Sequence, residues 1–162
     1  MRTPICAAMV PLLLSVACFQ EPRPSSASEA RAANAGIDSL NVRLVQAYRN
    51  RDPLAYAALY TDSGVFEWPE FNTVRGHAGL EAMARSNLAS LRDVDLRLDV
   101  SSRHIAPGYA TEFGAFQESY RDTSGKRMTE FGRYVAGLAR QRDNSWRIDH
   151  FVGFSDSTRP VR

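Results

Sequence analysis

Cysteine is nearly absent. Cys6 and Cys18 are the only two, both at the front of the 162-residue chain, so a domain folded behind them holds no internal disulfide. Histidine is scarce as well: His77, His104 and His150 are scattered, with no HxH or HExxH spacing, and the common metal patterns are missing. No GxGxxG, GxxxxGK[ST] or GxSxG occurs, which removes nucleotide-binding, P-loop and esterase-elbow readings. No basic stripe stands out from the interspersed acids, 20 Lys+Arg against 18 Asp+Glu, so nucleic acid is not an expected partner. No metal and no cofactor is expected. What is present is 44% hydrophobic and 10% aromatic residues, enough for one folded domain with a core.

The first residues read as an export signal. Arg2 precedes an apolar run from Ile5 that is too short to span a bilayer and is interrupted by Pro11. Leu14-Ser15-Val16-Ala17-Cys18 resembles a bacterial lipoprotein cleavage box, with Ser15 where a leucine is usual. Residues 1–17 are therefore expected to be removed and Cys18 to carry a lipid that anchors the protein in the cell envelope. Ser15-Val16-Ala17 also fits a simple secretion site, which leaves a soluble secreted or periplasmic form as the alternative. Residues 18–35 are rich in Ser, Ala, Pro and Glu, with little apolar content beyond Phe19, and are expected to form a flexible tether.

Regular patterning begins at Gly36. Ile37, Leu40, Leu44, Ala47 and Tyr48 share one helical face, predicting a helix over about 37–49. Asp52-Pro53 is an N-cap followed by proline in the first turn, and a short second helix should follow. Val65–Trp68 reads as a short strand stopped by Pro69, and Leu80, Met83, Ala84, Leu88 and Leu91 mark a third helix behind Gly76. From Leu96 onward the period is that of strands. Turns at Pro107-Gly108, Asp122–Gly125 and Asp143–Ser145 separate four long strands, the last running from Trp146 to Phe154. The order ααβαββββ is an α+β domain over 36–156 with a short tail, 157–162. Three helices should sit in the concavity of a curved antiparallel sheet.

The order and spacing of several short motifs resemble the nuclear transport factor 2-like superfamily, with its SnoaL-like cyclases and ketosteroid isomerase. The motifs are Ala47–Asp52, Ala58–Asp62, Gly76, Gly132-Arg133-Tyr134 and Asp143–Ile148. The resemblance spans about 37–154 and implies a cone, or cystatin-like roll, with a pocket between sheet and helices. It also implies a possible homodimer through the convex sheet face. For ketosteroid isomerase it implies an oxyanion hole from a helix tyrosine and a strand aspartate, plus an aspartate base before a proline. Those positions hold Leu44, Leu138 and Trp68 here. Leucine cannot donate a hydrogen bond and indole cannot take a proton at neutral pH, so steroid-isomerase chemistry is not expected.

Strand alternation supplies the pocket candidates. Phe66, Trp68, Phe116, Tyr134 and Phe151 are expected as ligand-binding walls, with Glu130 and Asp149 facing the same cavity. In the strand from Tyr109, either Glu112 and Phe116 or Thr111, Phe113 and Gln117 face inward; alternation leaves both open. Glu130 and Asp149 are acid/base candidates if burial raises one of them, although pairing with an arginine such as Arg133 or Arg147 would make them structural. His150 is a third candidate, yet alternation sends it to the convex face unless a bulge intervenes. The expected function is capture of a small apolar or amphipathic ligand, or of a protein partner, without turnover. The alternative is a cofactor-free acid/base enzyme: an isomerase, cyclase or dehydratase.

Overall fold

The structure is a computed structural model and describes residues 26–161. The signal segment, Cys18 and the first part of the expected tether lie outside the described residues. The first helix, α1 (Ala27–Arg49), begins well before Gly36. Ser26 closes it with a capping box: its Oγ accepts from the Glu29 N–H at 3.3 Å, and Glu29 Oε2 accepts from the Ser26 N–H at 2.7 Å. Residues 27–35 are thus helix and not tether. Their alanines favour helix without any apolar period to announce it, and Ala33 is already buried. Ile37, Leu40, Leu44 and Ala47 continue the buried stripe.

Arg51, at φ 53°, turns the chain into α2 (Pro53–Ala57), where the Asp52 carboxylate accepts from the Ala55 N–H at 2.9 Å. Strand β1 (Tyr60–Glu67) starts earlier than Val65, because Thr61–Gly64 form an irregular stretch of strand and not a free turn. A two-residue strand, β2 (Val74–Arg75), leads into α3 (Gly76–Ala89). The long strands follow: β3 (Arg92–Ala106), β4 (Tyr109–Arg121), β5 (Arg127–Arg140) and β6 (Trp146–Pro160). The turns between them are those the sequence marks; Gly108, Gly125 and Asn144 supply the positive φ.

The strand order is β2-β1-β6-β5-β4-β3. All neighbours are antiparallel except β1 and β6, so the sheet is mixed rather than wholly antiparallel. Strand β6 does not stop at Phe154: Thr158 pairs with Glu130 and Pro160 with Met128. Most of the expected tail is therefore strand. Between helices and sheet lies the core, where Ile37, Leu40, Leu80, Leu88, Leu138 and Ile148 are almost fully buried. Each contributes roughly 1.5–3 kcal/mol relative to exposure. Two positions that the resemblance singled out, Leu44 and Leu138, belong to this core.

Candidate functional site

The helices do not fill the whole concavity. A chamber of about 90 Å³ remains between α1, α3 and the inner face of the sheet. Phe66, Trp68, Phe116 and Phe151 form its aromatic walls, and Leu44, Leu88, Leu96 and Leu98 are among its aliphatic ones. The rings are ordered by their strands. Phe66 stacks on Phe151 (5.7 Å, 3°) and on Trp68 (6.0 Å, 9°), while Trp68 tilts against Phe116 (5.7 Å, 52°). Glycines let the rings lie flat on the sheet: a Cβ at Gly153 would stand 2.2 Å from Trp68 Cζ3, and one at Gly132 would stand 2.4 Å from Phe116. The chamber adjoins a wider vestibule of about 420 Å³, and Tyr48, Phe66, Trp68, Asn87 and Glu118 line both spaces.

Strand β4 turns its even-numbered residues inward, Glu112 and Phe116 among them, and this brings in Glu118 as well. The two glutamates differ in their partners. Glu112 is 1% exposed and accepts from Asn41 (2.9 Å), Tyr134 (2.8 Å) and the Arg103 guanidinium (Nε, 2.8 Å). It is a satisfied clamp joining α1, β3, β4 and β5. Glu118 is 8% exposed; its Oε2 accepts from the Tyr48 hydroxyl at 3.1 Å, and its Oε1 is buried with no partner among the described residues. Among the described residues, no Arg, Lys or His lines either space. Burial, reinforced by the Glu130 carboxylate across the β4–β5 ladder, pushes the Glu118 carboxyl up to about 7. Burial and the neighbouring Glu118 likewise push the Tyr48 hydroxyl up.

The other candidates fall elsewhere. Tyr134 is not a chamber wall: its ring stacks behind Phe151 (5.5 Å, 11°) and its hydroxyl serves Glu112. Glu130 lies in the vestibule, beside Glu118. Asp149 does not face the chamber. A bulge opposite Gly137/Leu138 sets it out of the alternation, and it accepts from the Thr61 hydroxyl at 3.0 Å. The same bulge leaves His150 on the convex side, 3.5 Å from Glu67. Among the described residues no arginine pairs with Glu130 or Asp149; Arg133 pairs with Asp156 and Arg147 approaches Asp62. Glu118 was open to sequence reasoning only through its parity with Glu112 and Phe116.

A helix-backed, aromatic-walled cone of this kind has known relatives. The SnoaL-like domain family matches residues 29–152, and the chain belongs to it. Among solved structures, a function-unknown protein from Mycobacterium tuberculosis superposes with a TM-score of 0.73 at 22% identity, over 82% of this chain and 76% of that one. A type-3 hexachlorocyclohexane dehydrochlorinase, LinA, from Novosphingobium barchaimii LL02 gives 0.72 at 15% identity, over 84% and 94%. A nuclear transport factor 2-like superfamily protein from Salmonella enterica serovar Typhimurium LT2 gives 0.70 at 17%, over 80% and 94%. At these identities the likeness establishes the α+β cone fold alone. No curated protein matches the sequence.

Proposed function

We propose that the domain captures a small, flat, mostly apolar molecule in the chamber, with one polar group turned toward Glu118. The carrying observation is the pairing of four aromatic walls with one buried carboxyl oxygen that has no partner. An unsatisfied buried acceptor favours a ligand that brings a donor, and the apolar walls favour a ring of neutral charge. The chamber alone suits a single ring, and the vestibule leaves room for a substituent. Phenol titrated against tryptophan fluorescence tests this reading, because Trp68 borders the chamber whereas Trp146 is core. Saturable quenching is expected, and in calorimetric titration, which needs no indole reporter, Trp68→Ala should weaken binding on the order of tenfold or more. Equal affinity in that variant would overturn the reading.

The proposal extends to location and assembly. Export and anchoring in a bacterial envelope through lipidated Cys18 rest on the apolar run that ends at the only cysteine beyond Cys6. Cys18→Ser should then remain unprocessed or become soluble; normal cleavage with membrane recovery would exclude the anchor. A second copy is the proposed occupant of the convex face, where Phe113, Phe154 and Tyr109 are about 40% exposed. Phe113→Asp should convert the dimer into a monomer in sedimentation.

A further inference from the structure

We propose that the ligand is a primary arylalkyl ammonium ion, with its ring in the chamber and its ammonium group in the vestibule between Glu118 and Glu130. This rests on the capture reading above and deepens it by assigning the polar group and its charge. Glu118 and Glu130 are direct partners in the β4–β5 ladder, so both leave the sheet on its concave side, with Cβ atoms roughly 4.5–5.5 Å apart. Like charges set directly opposite destabilise a sheet, and Glu70 adds a third carboxylate to the vestibule wall. Other acids of the chain are matched by arginines: Glu112 by Arg103, Asp156 by Arg133 and Asp93 by Arg121. Here the balance fails locally. The chain carries 20 Lys+Arg against 18 Asp+Glu, yet among the described residues no Arg, Lys or His lines chamber or vestibule.

Carboxylates at a surface are satisfied by water, but Glu118 is not at the surface. It is 8% exposed, it lines both spaces, and its Oε1 has no partner among the described residues. Tyr48 holds the other oxygen, so the carboxylate is oriented with one oxygen left for a donor. A primary ammonium brings N–H donors to that oxygen; a quaternary one has none. The surrounding rings suit the same group. Tyr48, Phe66 and Trp68 line both spaces and Phe71 lines the vestibule, and the faces of such rings attract cations. An anionic ligand would instead meet three carboxylates and no base.

The titratable groups facing Glu118 are Tyr48 of α1, Tyr56 of α2, Glu70 of the β1–β2 connection, Tyr120 of β4 and Glu130 of β5; among the described residues α3, β3 and β6 contribute none to the lining. Burial raises the hydroxyls of Tyr48, Tyr56 and Tyr120, which stay neutral near pH 7. Burial and the Glu130 charge hold Glu118 at about 7, so the free protein is half protonated there at neutrality. An ammonium beside it favours the ionised form. Binding at pH 7 should therefore release about half a proton, and affinity should rise with pH through that range. Calorimetric titration at pH 8 with 2-phenylethylamine, 2-phenylethanol, phenylacetate and phenethyltrimethylammonium tests the assignment. The primary amine should bind at least about tenfold more tightly than the alcohol and the quaternary ion, and phenylacetate should not bind. Glu118→Gln should erase the preference for amine over alcohol. Amine and alcohol of equal affinity in the unaltered protein would overturn the proposal and leave the capture reading intact, as would a quaternary ion as tight as the primary one. No binding by amine, alcohol or phenol would overturn both. If Glu118→Gln fails to fold, titration of the unaltered protein at pH 7 in buffers of different ionisation enthalpy decides: amine binding without proton release overturns the proposal.

Discussion

Glu112 and Glu118 leave β4 on the same side, but their surroundings separate them. Glu112 has Asn41, Tyr134 and Arg103 as donors, and Arg103 itself is nearly buried, with 9% of its side chain exposed. Glu112→Ala should leave Arg103 with Asp38 and Asn34 alone and deprive Asn41 and Tyr134 of their acceptor, at a cost of roughly 1–3 kcal/mol. Urea unfolding of the variant measures it, and a loss below about 1 kcal/mol would count against the clamp. Glu118 carries the opposite sign. Its carboxyl binds a proton more tightly folded than unfolded, so the folded state holds more protons between about pH 4.5 and 7. Stability from this group therefore falls as pH rises through that window, by roughly 3 kcal/mol when complete. The difference in urea midpoint between the protein and Glu118→Gln should shift toward the variant from pH 5 to pH 8, and no such drift would refute the raised value. Phe66 and Trp68 are readable as inward residues because they stand two apart at the end of one strand, whereas Phe151 follows the bulge at Asp149 and faces inward although Asp149 does not. Glu118 is not readable in this way, since nothing in Thr111–Gln117 reveals which parity faces the helices, and Asp149 was misplaced because a bulge leaves no mark in a single strand's sequence.

Element by element, the sequence declares an edge wherever a side chain or backbone conformation is needed to make it. Asp52-Pro53 and the three hairpin turns stand where their residue types place them. The start of α1 escaped notice because Ala27–Ala35 has no apolar period, although Ser26 and Glu29 spell a capping box. This segment is more than an overhang: Arg103 donates to Asn34 Oδ1 at 2.8 Å, and Ala33 is buried. A chain starting at Gly36 should be less stable than one starting at Ser26 by about 1–3 kcal/mol. Equal urea midpoints would show that the first turns of α1 carry nothing. On β6, Gly153→Ala forces a methyl group into the Trp68 ring. It should weaken phenol binding while the far-ultraviolet circular dichroism is unchanged. Unaltered affinity would mean that the ring is not seated there in the bound form.

At the scale of the whole molecule, hairpin-linked strands and three helices were legible, because each contact within a hairpin is local in sequence. The parallel contact was not. Tyr60 pairs with Ile148 and Phe66 with Phe151, and no turn links the two strands to advertise it. That contact sets the order in which the domain can form. Until β6 has been made, β1 and β2 have no sheet to join, and the aromatic wall from Phe66 lacks its stacking partner Phe151. A chain ending at Arg140 should show no cooperative unfolding transition. Contacts so distant in sequence also slow folding. A nascent chain of this design stays open until its last strand emerges, a property suited to a polypeptide that, on the proposed export route, must be threaded through a membrane before it folds.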